Sequence, residues 1–226
     1  DTVTSSIVVG AATIDAVVET TPSINGNTGG ATAPLTANDT LNGNPVSIGT
    51  NPGDVTITVG TVQGGLTMDP LTGVVTVPAN TPAGSYDVTY TICEVTNPLN
   101  CDTVTSIVTV EEAVILAEDD APTTPVNGTD GAIGIVNILT NDTLNGVAVN
   151  PADVTFTQTN IDPLSPLTLN ADGSIDVAAN TPAGSYTLTY TLCENLNPTN
   201  CDGATVTITV EEAVILAEDD APTTPV

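Results

Sequence analysis

The chain has 226 residues and no Lys, Arg or His against 27 Asp and Glu, a formal net charge of -27. With no basic side chain it cannot neutralise phosphates, which excludes nucleic acid as a partner and leaves anionic lipid or acidic polysaccharide reachable only through a bridging divalent cation. The same absence removes Ser-His-Asp and Cys-His arrangements, imidazole metal ligands, Lys nucleophiles and Lys–Asn isopeptide cross-links; paired carboxylates of the glycosidase type survive, but four Tyr, one Phe and no Trp offer little aromatic surface for a sugar, so no enzyme is expected.

In chain order, DTVTSSIVV at 1–9 resembles DTVTSIVTV at 102–110, so 1–12 reads as the last strand of a preceding repeat. DVTITVG at 54–60, VVTVP at 74–78 and SYDVTYTIC at 85–93 alternate with a period of two, and turn formers such as NPGD, DPLTG and NTPAG lie between them. In the third of these, Tyr86, Val88, Tyr90 and Ile92 face one way and Asp87, Thr89, Thr91 and Cys93 the other. The segment TVEEAVILAEDDAPTTPV at 109–126 then recurs without change at 209–226, NTPAGSYDVTYTICEVTNPLNCD at 80–102 returns in altered form at 180–202, and NDTLNG at 38–43 returns at 141–146. The second copy repeats the alternation with Tyr186, Leu188, Tyr190 and Leu192, SIDVA at 174–178 and Val206, Ile208 and Val210. A fixed period marks one module used repeatedly. The predicted fold is all-β: tandem immunoglobulin-like β-sandwich repeats of about 100 residues in an extended filament. Its parts are 1–12 (last strand of a preceding repeat), 13–112 and 113–212 (two full repeats), and 213–226 (first strand of a following repeat). Hydrophobic residues form 40% of the chain, enough for a core of small branched side chains. No apolar run approaches the ~20 residues of a membrane span, so no membrane insertion is expected in this window.

The PAGSY stretches place Tyr86 and Tyr186 where a phenol either bonds back to the preceding corner, as in the tyrosine corner of immunoglobulin-type sandwiches, or packs simply as a core ring. Cys93 with Cys101 and Cys193 with Cys201 bracket loops rich in Asn and Pro between two strong strands. That spacing suits disulfides across the mouth of a hairpin and an oxidising, extracellular compartment. Metal binding is the rival, with only two thiols per module and no His.

Five carboxylates cluster at each boundary: Glu111, Glu112, Glu118, Asp119 and Asp120, then Glu211, Glu212, Glu218, Asp219 and Asp220. Without cations in the chain they are solvated, protonated or metal-bound. Calcium, a hard ion taking six to eight oxygens, is the candidate metal, with Asn141 and Asp142 as additional donors. The alternative is a solvated acidic linker held extended by repulsion. At the first boundary the sequence alignment sets Val18, Glu19 and Thr20 against Glu118, Asp119 and Asp120, and Ala11 and Ala12 against Glu111 and Glu112.

AEDDAPTTPVNG followed by VNILTNDTLNG resembles the opening of the cadherin-like and related Ig-like repeats of giant bacterial surface adhesins. AGSYxxxYxxC, seven further residues and CD are similar to repeats of the SprB-type gliding-motility adhesins of Bacteroidota. The resemblance covers both full repeats. It implies type IX secretion, display as a filament on the bacterial cell surface, and surface attachment in gliding. It also implies O-glycosylation at Asp-(Ser/Thr)-apolar tripeptides, which match at Thr40, Thr103 and Thr143. The expected partners are neighbouring repeats of the same chain, with an external surface or polysaccharide bound through other parts of the protein. Carbohydrate-binding modules acting through loops 97–100 and 197–200, or a spacer in a secreted multidomain enzyme, are the alternative readings.

Overall fold

The computed structural model describes residues 1–160 and 164–219 and divides into two units, 1–113 and 114–226. The division falls one residue past the boundary read from the repeat. The first unit carries β1 (Ile14–Asp15), β2 (Ile24–Asn25), β3 (Gly30–Ala31), β4 (Thr40–Leu41), β5 (Asn44–Pro45), β6 (Val55–Val62), β7 (Thr67–Met68), β8 (Val75–Val77), β9 (Gly84–Glu94) and β10 (Asn97–Glu111). The second carries β11 (Ile115–Leu116), β12 (Val126–Asn127), β13 (Ala132–Asn137), β14 (Thr143–Leu144), β15 (Val147–Ala148), β16 (Val154–Gln158), β17 (Leu167–Leu169), β18 (Ser174–Val177), β19 (Gly184–Glu194) and β20 (Cys201–Glu211).

Each unit is a sandwich of two main sheets. In the first, β2-β10-β9-β6 faces β3-β8-β7; in the second, β12-β20-β19-β16 faces β13-β18-β17. The long antiparallel hairpins β9–β10 and β19–β20 form the centre. The short β2 and β12 run parallel to the ends of β10 and β20. This arrangement, two ~100-residue immunoglobulin/cadherin-like sandwiches in tandem, follows from the period-two pattern. Val88, Tyr90 and Ile92 pack inward against Val55, Leu66, Val75 and Val108, and Leu188, Tyr190 and Leu192 do the same with Val154, Ile175 and Ile208. Each such aliphatic side chain contributes about 1.5–3 kcal/mol on burial, so a core almost without aromatic rings suffices.

The outward face of the hairpin is polar and uncharged over much of its length. Thr89 pairs with Thr105 and Thr91 with Thr103, each with Oγ1 atoms 2.8 Å apart, and Cys93 stands directly opposite Cys101. A small third sheet in each unit, β1-β4-β5 and β11-β14-β15, ties the opening segment to the NDTLNG hairpin. Its turn is Asn42–Gly43 (φ 53° and 72°) or Asn145–Gly146 (54° and 72°), the left-handed pair a two-residue hairpin of this twist requires. Residues 1–12 and 213–219, read from the sequence as strands of neighbouring repeats, form no strand here; 220–226, including Asp220, lie outside the described residues.

Gly26 and Gly128 sit where two backbone segments touch. Each donates its N–H to the last residue of the final strand (Glu111 or Glu211) and accepts from Thr81 or Thr181. A Cβ there would fall 2.0 Å from the Thr81 carbonyl oxygen or 2.1 Å from that of Thr181. Gly128→Ala is therefore expected to lower the thermal midpoint of the second unit by several degrees, seen by calorimetry, while the first unit's transition stays in place.

Candidate functional site

The opening segment of each unit has little ladder to belong to, since β1 and β11 are two residues long. Its N–H groups are taken up by side-chain carboxylates of the body. In the first unit Ala16 N donates to Asp102 Oδ2 (2.8 Å), Val17 N to Asp39 Oδ1 (2.8 Å) and Glu19 N to Ser106 Oγ (3.0 Å). In the second, Ala117 N donates to Asp202 Oδ2 (3.0 Å) and Glu118 N to Asp142 Oδ1 (2.8 Å). Asn42 and Asn145 complete the attachment: Thr13 N donates to Asn42 Oδ1 (3.1 Å) and Val114 N to Asn145 Oδ1 (2.9 Å), while each Asn N–H returns a bond to the same residue's carbonyl at 2.7 Å. The repeated ND, NG and CD dipeptides are thus one docking device, in which acceptors that carry charge make bonds about twice as strong as neutral ones.

Behind this device lies a buried phenol. Tyr190 Oη is 3.1 Å from Asp120 Oδ2, 3.2 Å from Asp142 Oδ2 and 3.1 Å from the Ile138 carbonyl. Tyr90 Oη is 2.5 Å from the Leu35 carbonyl and 3.0 Å from Asp39 Oδ2. Asp39 and Asp142 are 0% exposed and Asp120 5%. Burial pushes all three carboxyls up, Asp120 to about 6, against the lowering effect of their hydrogen bonds. Burial and then the adjacent carboxylates push both phenols far above the usual tyrosine value.

The boundary acids separate. Asp120 turns inward to Tyr190, while Glu118 and Asp119 are exposed, Asp119 Oδ1 accepting from Thr205 N at 2.8 Å. Glu111, Glu112, Glu211, Glu212, Glu218 and Asp219 are exposed, and Glu111 accepts the Ser23 hydroxyl. Among the described residues no three acids gather as a metal shell, and the buried Asp120 and Asp142 meet at the Tyr190 phenol. The alignment of the first boundary is corrected by one residue. Ile14 pairs with Leu41 as Ile115 pairs with Leu144, which sets Val17, Val18 and Glu19 against Glu118, Asp119 and Asp120. The carboxylate that survives at the first boundary, Glu19, is then the one that stands in the place of the inward Asp120.

The cysteines pair as Cys93–Cys101 and Cys193–Cys201, with Cα atoms 4.1 Å apart in both. Each disulfide closes a loop whose Asn side chains turn inward. Asn100 donates to Glu94 (3.0 Å), and Asn197 and Asn200 donate to Glu194 (3.0 and 2.8 Å). Residues 97–100, expected as a loop, open β10 instead, Asn97 pairing with Glu94 before a shift in register; there and in 197–200 these amides are committed to the carboxylate, which leaves side chains such as Leu99, 95% exposed, and no ring on which a sugar could stack. Tyr86 and Tyr186 form the corner bond, donating to the carbonyls of Pro82 (2.7 Å) and Pro182 (2.9 Å). Of the candidate glycosylation residues, Thr103 is exposed on β10 beside Thr91, and Thr40 and Thr143 are half-buried in β4 and β14. Asp39, Asp102, Asp202, Asn42 and the two phenol hydroxyls were not singled out from the sequence for this role; their recurrence in both copies as polar residues beside apolar strands was the available signal.

Fold and site together define a pair of tandem cadherin-like sandwich domains. Searches against protein families and curated proteins give no match. Among solved structures the chain is similar to protocadherin gamma B2 extracellular cadherin domains 3-6 (9% identity, TM-score 0.37, 90% of this chain and 53% of that one). It is also similar to the EC22-24 segment of mouse cadherin-23 (12%, 0.36, 90% and 65%) and an endo-fucoidan hydrolase of glycoside hydrolase family 107 (17%, 0.31, 71% and 24%). The chain spans less than two thirds of each of these. No helix among the described residues is long and apolar enough to cross a membrane.

Replacing one carboxylate pin leaves a strand N–H without its acceptor, at a cost of about 1–3 kcal/mol. Asp202→Ala should lower the second unit's unfolding free energy by that amount in urea, with the slope unchanged. Cys193→Ser with Cys201→Ser should cost about 2–3 kcal/mol through the freed loop, measured the same way against the oxidised parent.

Proposed function

We propose that the chain is a stalk segment of a long extracellular adhesin filament on a bacterial cell surface, serving surface attachment in gliding. The observation that carries this reading is that each unit holds its own copy of the device that fastens its opening segment, and that the opening segment of the second unit recurs unchanged at 213–226. A module of this kind can be strung in series without any change to its neighbours. Its acids are spent on docking and solvation, and its cystine-closed loops suit an oxidising exterior. The ligand-binding part of the filament would lie elsewhere in the protein, and Thr103 is the most accessible of the residues proposed for O-glycosylation.

The exposed carboxylates have no basic side chain to meet. A dissolved divalent cation is the partner that Glu118, Asp119 and their exposed neighbours would accept, as a loosely held stiffener rather than a requirement of either fold. Calorimetric titration of the whole chain should then show calcium binding only at millimolar concentration, with thermal midpoints of both units nearly unchanged by a chelator; submicromolar binding or chelator-induced unfolding contradicts it. The stalk itself is tested by deleting 13–212 in register from the parent protein on living cells. Attachment should fall through shortened reach while the isolated binding region keeps its affinity; unchanged attachment, or direct binding of polysaccharide by the purified chain, would sink the stalk reading.

A further inference from the structure

The first unit contains a polar cluster whose hydrogen count does not balance. Tyr90 Oη lies 2.5 Å from the Leu35 carbonyl oxygen and 3.0 and 3.2 Å from the two oxygens of Asp39. A phenol has one proton to give, and a carbonyl has none. With that proton directed to Leu35, the short approach of Asp39 to the phenol oxygen needs a hydrogen from the carboxyl side. Asp39 Oδ1 is meanwhile occupied in accepting Val17 N–H, and the whole side chain is 0% exposed. Beside it, Oε2 of Glu19 is buried with no hydrogen-bond partner. The Asp39 carboxyl and Oε2 of Glu19 are thus both shut away from solvent near a single phenol proton.

The surroundings offer no relief. The titratable groups that face the cluster are Asp15 and Glu19 on the opening segment, Asp39 on the loop before β4, Tyr90 on β9, and Asp102 on β10, which holds the neighbouring Ala16 N–H. All are acidic, and the chain has no Lys, Arg or His to move into range. Leaving Asp39 ionised there would bury a charge beside like charges without compensation, the situation that drives a carboxyl to keep its proton.

We propose that the first unit holds one proton between Asp39 and Tyr90 at neutral pH, and that this proton is a structural part of the joint by which the opening segment docks. Asp39 carries it toward the phenol oxygen, where it turns a repulsive contact into a hydrogen bond and lets Asp39 keep its grip on Val17. Burial and the charges of Glu19 and Asp15 raise the Asp39 carboxyl above its ordinary value, which agrees with the geometry. A carboxyl raised on folding makes the folded unit bind more protons than the unfolded chain in the interval between the two values. Stability from this source is present at the acidic end of that interval, falls as pH rises through it, and levels off above. Acid thus tightens the fastening of the opening segment, and alkali loosens it.

The test uses the whole chain in chelator. The carbon-13 carboxyl shift of Asp39, followed by NMR from pH 3 to 9, should show it titrating well above the ordinary carboxylate range of about 4. Titration of Asp39 near 4 would overturn the proposal. Glu19→Gln supplies the second arm, since an uncharged amide brings its own donors and removes a charge that raises the Asp39 carboxyl. The first unit's thermal midpoint should then rise relative to the parent at pH 8, with the difference vanishing toward pH 4. A variant less stable than the parent by the same margin at both pH values would contradict the proposal, and if it fails to fold the parent's carboxyl titration still decides.

Discussion

Every unit of this chain must fasten an opening segment that is too short of ladder partners to hold itself. Carboxylates do so by accepting backbone N–H groups: the buried Asp39 and half-buried Asp102 in the first unit, the buried Asp142 and half-buried Asp202 in the second. A backbone N–H left unpaired inside a sandwich is costly, so these four side chains decide whether the first strand belongs to the fold or trails from it. The long hairpins, the corner tyrosines and the cystine loops form the body that holds the acceptors in place. The choice of carboxylates also explains the clustering at Tyr90 and Tyr190, because an acid drawn inward to reach a strand must find a second donor for its other oxygen.

The two units solve the same problem with different residues. Inward from the strand, the first uses Glu19 where the second uses Asp120, and the longer side chain leaves one oxygen buried without a partner. On β10 the buried row is broken by Ser106, whose hydroxyl takes Glu19 N–H. On β20 the equivalent row keeps Val206, and Asp120 N donates to the Thr205 carbonyl instead. The isolated parallel bridges follow the same shift, Thr20 with Ile107 but Asp120 with Val206. Both solutions preserve the acceptor pair while the register beside it moves.

Much of the sandwich was legible in the sequence. Alternation in SYDVTYTIC and in Val206, Ile208 and Val210 marked the inward residues of the central hairpins. The corner bond of Tyr86 and Tyr186 was one of two readings and is the one observed. What periodicity could not reveal was the use made of the acids. A run such as AEDDAP looks uniformly solvated, yet the pleat turns Asp120 in and Asp119 out. The hydrogen-bond partner of the inward acid, Tyr190, stands 70 residues away in sequence, and Tyr190 is itself 48 residues from Asp142, which meets the same phenol. Hydrogen bonds of that span depend on the packed sandwich, not on any local pattern. The repeat itself carried the trace, since ND, NG and CD persist in bodies that have otherwise diverged.

The account is tested most directly by native-state hydrogen exchange resolved to single amides in the unaltered chain. The amides of Ala16, Val17, Ala117 and Glu118 face carboxylates rather than ladder carbonyls. They should nevertheless be protected to nearly the level of the β9–β10 and β19–β20 hairpins, opening only with their unit. Exchange of these four at the rate of exposed loops, while the hairpins remain protected, would show that the acids do not hold the strand.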